Sequence, residues 1–497
     1  MCGIAGIWGV PDKKIVNKML DTMVHRGPNS EGFYNSLPGT LGHRRLSIMD
    51  PSGGRQPIYN EDHTKTIVAN GEIYNFYDLR KGLGVQHKFQ TQSDTEAILH
   101  LYEELNISMI HKLDGMFTIA ISDGKDLFLA RDPIGIKPLY YGTKNKALIF
   151  ASELKALSGI ATDVKEFPPG VCYHSKIGFR PYYTVPDSNP RNLSLETHLK
   201  YVRETIEHSV TKRLMSDVPL GAFLSGGLDS SIIAAIARQH VEKLHTFSVG
   251  IEGSHDLEAA QMVARHLGTI HHEYILTSDE VMGKLPEIIY DLESFDQDLV
   301  RSAIPCYFVS RLAADYVKVI LTGEGADELF AGYNYYRNIH NPEHLSQELR
   351  RSVNNLHNVN LQRVDRMTMA HSIEGRVPFL DTEMIELALS IPIEWKLYLN
   401  RDKQITEKWI LRKACEDLLP PKIVWRDKEQ FDEGSGIINI LTLLEDKLLS
   451  LKTKTLDIQP KVHLRSAEER TYYNMLNEVY SNSEVIIDNV ARWSERP

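Results

Sequence analysis

One stretch limits the folds open to this chain more than any other: "GAFLSGGLDSSIIAAIARQ", Gly221 to Gln239. A short apolar run ends in a turn with two adjacent glycines, then resumes as an apolar helical pattern. A fully buried strand followed at once by a buried helix is half of a βαβ unit, and such units build parallel sheets covered on both faces. "VKVILTG" before "DELFAGY" repeats the pattern, and "HTFSVGI" adds another buried strand. The expectation is an α/β fold here, a doubly wound parallel sheet with ligands at the carboxyl ends of its strands. From about residue 340 the pattern is mostly helical.

The chain before this region reads differently. "GIAGIWGV", "LGHRRLSIM", "KTIVANGEIYN", "MFTIAISDG", "DLFLARD" and "ALIFASE" are short strand candidates bounded by Gly, Asp or Asn. Between them "SDTEAILHLYEEL" is helical, with Ala97, Ile98, Leu101 and Tyr102 on one face and Ser93 or Asp94 as the cap. Strands with helices between them predict an α/β/β/α sandwich rather than a barrel. "RPYYTVPDSNPRNLS" is the linker candidate. The 497 residues therefore divide into 2–185, a linker at 186–195, and 196–497.

Composition excludes several classes. The net charge is −10 with no block of like charges, so no basic stripe for nucleic acid or an anionic membrane is present. Cys2, Cys172, Cys306 and Cys415 are scattered without a C-x-x-C pair, which fits a reduced cytoplasm. No secretory signal or membrane-length apolar run is visible, and a soluble cytoplasmic protein is expected.

The loop "LSGGLDSS" is built for phosphate. Gly226 and Gly227 allow close backbone approach, Ser225, Ser230 and Ser231 offer hydroxyls, and the next helix turns its N-terminus toward the same point. It is not a Walker A loop, because it has no lysine. Asp229 would repel phosphate unless Mg²⁺ stood between them. "TGEGADE" (Thr322 to Glu328) follows another strand and should share the same rim, so Asp327 is expected to share that metal.

The chain opens "MCGIAGIWG". Removal of Met1 would leave a thiol and an α-amine on Cys2. That makes Cys2 either a nucleophile carrying its own base or merely the start of an edge strand. Arg44 and Arg45 are adjacent, and strand alternation sends them to opposite faces. One of them can fork onto a carboxylate, and chemistry alone does not choose which.

Together, "MCGI", "RLSIMD", "NGEIYN", "SGGLDSS", "GEGADELFAGY", "RVPFLD" and "WRDKEQF", in this order, resemble the glutamine-hydrolysing asparagine synthetases. The resemblance implies an N-terminal-nucleophile (Ntn) glutaminase sandwich joined to a PP-loop ATP-pyrophosphatase domain. Carried over, Cys2 attacks the glutamine amide, with Asn70 and Gly71 as the oxyanion hole. Arg45 holds the glutamine carboxylate, Leu46, Ser47, Ile48 and Met49 line the pocket, and Glu72 and Asp94 bind the amino end. Leu224, Val249, Thr322 and Gly323 contact ATP beside Ser225, Gly226, Gly227, Asp229 and Ser230. Glu324 assists at the acyl-adenylate and Lys428 stabilises its charge. Arg301 meets a carboxylate of aspartate, and Asp229 and Asp327 hold Mg²⁺, with no organic prosthetic group. "HRGP" (His25 to Pro28) is read as a turn that shapes the pocket. The resemblance carries the expectation of a homodimer.

The chemistry suits these residues. A thiolate and a covalent intermediate help to break an unreactive amide. An α-amine with a pKa near 7.7–8.0 accepts the thiol proton, so no histidine is needed. Adenylation turns a carboxylate into an acyl donor. Ammonia is expected to travel between the sites through a tunnel along the domain interface, lined by apolar and small residues. The acceptor is expected to be aspartate, with another carboxylate as the alternative. β-Lactam closure or a storage protein is disfavoured, since Cys2, Asn70, Gly71, Asp94, Asp229, Glu324 and Lys428 are all present.

Overall fold

The computed structural model describes residues 2–429, 431–438, 440–441, 460 and 462–492. Met1 and Gln430 of "WRDKEQF" lie outside them.

The N-terminal strands are β1 (Gly3–Trp8), β2 (Ser30–Ser36), β3 (Gly39–Arg45), β4 (Ile58–Tyr59), β5 (Thr66–Ile73) and β6 (Gly115–Ser122). They continue with β7 (Leu127–Arg131), β8 (Tyr140–Lys144), β9 (Ala147–Ala151), β10 (Thr162–Glu166), β11 (Val171–His174) and β12 (Gly178–Pro181). They form two six-stranded antiparallel sheets, ordered β10-β8-β9-β1-β3-β2 and β12-β11-β7-β6-β5-β4. Helix α1 (Lys13–Asp21) packs on β1 and β3, while α2 (Phe76–Leu83) and α3 (Asp94–Leu105) cover the second sheet.

Alternation along β1 shows how the layers form. Ile4 and Trp8 enter the core between the sheets with Leu41, Val68, Leu129 and Phe150, whereas Ala5 and Ile7 face the core beneath α1. Strand β1 pairs with both β3 and β9, so it is an interior strand and not an edge. The small residues after Cys2 serve this packing rather than a ligand. A Cβ on Gly6 would lie 2.4 Å from the Phe150 ring, and one on Gly3 would make only ordinary contact with Arg26 and Met23.

The second half holds a parallel sheet of β13 (Leu220–Phe223), β14 (His245–Gly250), β15 (Ile270–Ile275), β16 (Val319–Leu321) and β17 (Glu374–Arg376), ordered β15-β14-β13-β16-β17. Helices α4 (Leu195–Lys212), α5 (Leu228–His240), α6 (His255–Leu267), α7 (Ser278–Leu292) and α8 (Gln297–Ala314) precede α9 (Ala326–Phe330), α10 (Pro342–Asn354) and α11 (Asn360–Ala370). One face of the sheet buries Ala222 and Leu321 with α4, α5, α6 and α9. The other buries Phe247, Val249 and Ile320 with α7, α8 and α11. The order reverses between β13 and β16, so the loops after these two strands flank the switch point of a doubly wound sheet. Helix α4 begins at Leu195, capped by Ser194, inside the stretch read as linker. No described helix is long and apolar enough to cross a membrane.

Candidate active site

Cys2 precedes β1 and is 8% exposed. Its backbone nitrogen donates to Asn70 Oδ1 at 2.8 Å, and its carbonyl accepts from Arg26 Nε at 3.1 Å. Its Sγ lies 3.9 Å from the Leu46 carbonyl. Burial pushes the thiol pKa above its ordinary value, so a nearby base has work to do. Asn70 spends its oxygen on Cys2, and its Nδ2 is buried without a partner. A buried unpaired donor costs roughly 1–3 kcal/mol, a cost that an oxyanion bound there would recover. Gly71 has φ +151, and a Cβ there would lie 2.0 Å from the Met116 carbonyl, so no side chain fits.

His43 is no candidate base. Burial pushes its pKa down to about 3, and its Nε2 lies 3.1 Å from the Ala69 carbonyl. As a neutral imidazole it ties β3 to β5 one residue before Asn70.

Arg44 and Arg45 separate as strand alternation requires. Arg44 pairs with Asp21 at 2.9 Å and with Glu31 at 3.2 Å on the outside. Arg45 is buried and donates to the carbonyls of Met49, Asp50 and Pro51, wrapping the loop after β3 around its guanidinium. Leu46, Ile48 and Met49 are buried, and the Ser47 N–H donates to Asn29 Oδ1. Asp94 opens α3 and accepts from the N–H groups of Ile73 and Thr95; burial lifts its pKa to about 6. Glu72 has one buried oxygen without a partner, and burial, Glu374 and Asp94 raise its pKa.

The "HRGP" turn does more than shape a pocket. Arg26 is fully buried, and its Nη1 meets Glu153 at 2.8 Å and Asp365 of α11 at 2.7 Å. Around it, Arg366 meets Glu293 at 2.7 Å, Lys137 Nζ donates to the Gly375 carbonyl, and Arg376 Nη2 stands 3.6 Å from Glu72. The contact between the two halves near Cys2 is thus ion-paired.

In the second half a cavity of about 370 Å³ opens at the switch point. Leu224, Ser225, Gly227, Asp229, Ser230, Val249, Thr322, Gly323, Glu324, Asp327 and Lys428 all line it. The hydroxyls of Ser225 and Ser230 lie 3.1 Å apart and close the loop, with the Ser225 N–H donating to Ser230 Oγ. Ser231 is buried without a partner and does not face the cavity. Gly226 takes φ +72, and a Cβ there would lie 2.5 Å from Ala259 and Ala260. A Cβ on Gly323 would lie 2.8 Å from the Ser230 nitrogen, so the two loops touch back to back.

Asp229 and Asp327 converge as expected, but the cation between them is a side chain. Lys408 Nζ is 2.6 Å from an oxygen of each. Lys428 Nζ stands 2.9 Å from the other oxygen of Asp327, and both lysines hold that carboxyl well below the usual range. Glu324 pairs with Arg363, which also lines the cavity. These three carboxylates and three cations balance, so added triphosphate charge calls for a further cation. Asp229 Oδ1, buried without a partner, suits Mg²⁺ carrying phosphate.

Arg301 is not placed as expected. It forks onto Glu468 (Nε to Oε1, 3.0 Å) and does not line the cavity. An arginine already bound in two places by a carboxylate has little left for a substrate. Sequence reasoning also missed Arg26, Lys408 and Arg363. Lys408 sits at φ +53 in the turn before Trp409, a local signal visible only in the backbone.

With this geometry in place, comparison with known proteins adds the following. A family model described as glutamine amidotransferase domain matches residues 1–169, and one described as asparagine synthase matches 201–344 and 337–467. A glutamine-hydrolysing asparagine synthetase of Sandersonia aurantiaca is 40% identical over 506 residues, covering 96% of each chain. One from Oryza sativa is 41% identical over 460 residues, covering 88% of this chain and 78% of that one. One from Arabidopsis thaliana is 42% identical over 460 residues, covering 88% of this chain and 79% of that one. The chain belongs to the glutamine-hydrolysing asparagine synthetases.

Proposed function

We propose that this enzyme makes asparagine from aspartate, glutamine and ATP, releasing glutamate, AMP and pyrophosphate. The observation that carries the reading is a single chain holding two sites. Cys2 lies against Asn70 in one half, and Lys428, Asp327, Lys408 and Asp229 form a charge ladder in the other.

In the first site the α-amine of processed Cys2 takes the thiol proton, and the sulfur attacks the glutamine amide. The oxyanion meets Asn70 Nδ2 and the Gly71 N–H. The collapsing intermediate expels ammonia, which takes the proton, and water frees glutamate from the thioester. Asp94 and Glu72 hold the substrate ammonium. Arg45 offers its carboxylate the donors not spent on the loop carbonyls.

In the second site aspartate's side-chain carboxylate attacks the α-phosphate of ATP and displaces pyrophosphate into the Ser225–Ser230 loop. Lys428 offsets charge at the adenylate, and Lys408 faces the phosphates between the two aspartates. Arg363 takes the role of orienting the acceptor, in place of Arg301. Asp229 and Asp327 would hold Mg²⁺, which supplies charge neutralisation for the leaving pyrophosphate. Ammonia from the first site attacks the β-aspartyl adenylate after crossing the interface beside α11. We assign the enzyme to the cytoplasm, where Cys2 stays reduced.

The test is ATP–pyrophosphate exchange with a panel of carboxylic acids, in wild type and Cys2→Ala. Aspartate should drive exchange in both, and Cys2→Ala should make asparagine only from ammonia. Exchange with another acid and none with aspartate would overturn the assignment.

A further inference from the structure

A second cluster of metal-ligating side chains lies in the outer helical layer of the N-terminal half. Glu61 follows β4, His87 follows α2, and His100 and Glu103 sit three residues, about one turn, apart on α3. His87 Nδ1 is 3.3 Å from Glu61 Oε1 and 3.6 Å from Glu103 Oε2. His100 Nδ1 is 2.8 Å from Glu103 Oε2 and 3.7 Å from Glu61 Oε2. One ligand atom from each of the four side chains lies within 4.8 Å of every other. A tetrahedral ion with bonds of about 2.0–2.1 Å needs donor-to-donor edges of about 3.3 Å. The four distances given above, with Glu61 counted through Oε1 to His87 and through Oε2 to His100, scatter around that value, and rotamer adjustment of Glu61 would set one oxygen toward both imidazoles.

The surroundings point the same way. One imidazole hydrogen-bonds an outer carboxylate through its other nitrogen, and the second has its other nitrogen buried without a hydrogen-bond partner. His87 Nε2 is 3.0 Å from Glu104 Oε1, and His100 Nε2 is 3.6 Å from Glu96 Oε1. On His87 the outer carboxylate fixes the proton on Nε2 and leaves the Nδ1 lone pair for a metal, while the 3.6 Å gap from His100 Nε2 to Glu96 is a charge contact only. Four carboxylates thus surround two imidazoles, and among the described residues none of the four pairs with a lysine or arginine.

We propose that Glu61, His87, His100 and Glu103 form a structural site for a borderline divalent cation of the zinc class. Two nitrogen and two oxygen donors suit Zn²⁺ and are a poor cage for Mg²⁺, which prefers oxygen and octahedral geometry. The ion would pin the 61 and 87 loops to α3. Glu96 also accepts from the N–H groups of Gln90 and Thr91, so the clamp extends to the turn that delivers Ser93 and Asp94. The site therefore braces the helix end that faces glutamine without touching the reaction, and it does not depend on the acceptor proposed above.

The test uses the full chain carrying Cys2→Ala, so that the nucleophile does not compete for metal. After chelation, Zn²⁺ alone is titrated, with Mg²⁺ as the control. The expected result is about one equivalent bound, a melting temperature that rises and saturates at that ratio, and an X-ray absorption shell of nitrogen and oxygen without sulfur at about 2.3 Å. His87→Ala and Glu103→Gln should each weaken zinc by at least about tenfold, and Glu104→Gln should do so by a similar factor through His87. Ammonia-dependent asparagine synthesis in the His87→Ala chain checks that it is folded. Substoichiometric uptake by the unsubstituted cluster, or uptake unchanged in both His87→Ala and Glu103→Gln, would overturn the proposal and leave an ion-paired histidine cluster.

Discussion

Arg26 donates through Nη1 to Asp365 Oδ2 at 2.7 Å and through Nη2 to Asp365 Oδ1 at 3.1 Å, while its Nε holds the Cys2 carbonyl. One side chain therefore joins the nucleophile's backbone to α11. That helix carries Arg363 two residues earlier, at the cavity beside Asp229 and Asp327. The two sites share a rigid element, and the ion pair is the joint between them.

Removing this joint should be costly. Arg26→Ala leaves Asp365 and Glu153 buried with fewer partners, and breaking a buried pair costs roughly 3–5 kcal/mol. Because Arg366 and Lys155 also reach Glu153 at 3.4 and 3.1 Å, the low end is expected. Chemical denaturation of Arg26→Ala, Asp365→Asn and the double variant measures the loss. Strong non-additivity is expected, since either single change already breaks the pair. Arg26→Lys should keep more stability yet hydrolyse glutamine without matching asparagine, because lysine cannot span both partners.

The oxyanion hole gives a sharper kinetic prediction. Asn70 Nδ2 is free in this structure while Oδ1 orients Cys2. Asn70→Ala should lower glutaminase kcat by about 10²–10³-fold, as for removal of one oxyanion donor elsewhere. Ammonia-dependent synthesis should stay near wild type. Equal loss of both activities would show that Asn70 supports the fold instead.

Asp94 sets a pH dependence. Burial raises its pKa to about 6, above the model-peptide value near 3.9. A substrate ammonium needs the charged carboxylate, so glutamine affinity should fall about tenfold for each pH unit below 6. Calorimetric titration with Cys2→Ala, where no turnover interferes, reads this directly. The stability term has the opposite sign. A raised carboxyl favours the native state most below about pH 4, and that contribution disappears as pH rises through 6. An affinity flat between pH 5 and 7 would remove Asp94 from the glutamine site.

Much of this site was legible in the sequence, and what escaped has a common cause. Strand alternation separated Arg44 from Arg45, and the structure sets one in a surface ion pair and the other inside a loop. The strand–loop–helix pattern located the Ser225–Ser230 loop at the cavity, and the matching second unit placed Asp327 opposite Asp229. Local period and local motif carry such information. Arg26 and Asp365 stand 339 positions apart, Lys408 and Asp229 179 apart, and Arg301 and Glu468 167 apart. Pairing at that range leaves no periodic trace. The charge pattern therefore did not show that Lys408 stands between Asp229 and Asp327, and the resemblance did not show that a helix of the C-terminal region supplies the carboxylate that Arg301 meets.

The final prediction separates the two lysines. Lys408 Nζ bridges Asp229 and Asp327, whereas Lys428, among the described residues, ion-pairs with Asp327 and lines the cavity. Lys408→Ala would leave Asp229 without its lysine and Asp327 with Lys428 as its remaining partner, and that gap should draw divalent cation. Its ATP–pyrophosphate exchange should fall by about 10²-fold at ordinary Mg²⁺ and recover in large part as Mg²⁺ is raised, because Mg²⁺ and ammonium offset the same charge. Lys428→Ala should lose exchange by a similar factor without recovery, since a metal drawn to the aspartates does not reach the adenylate as a long flexible side chain does. Glutaminase activity should persist in both. Matching Mg²⁺ responses in the two variants would show that the lysines share one role and that the bridge between Asp229 and Asp327 is not specific to Lys408.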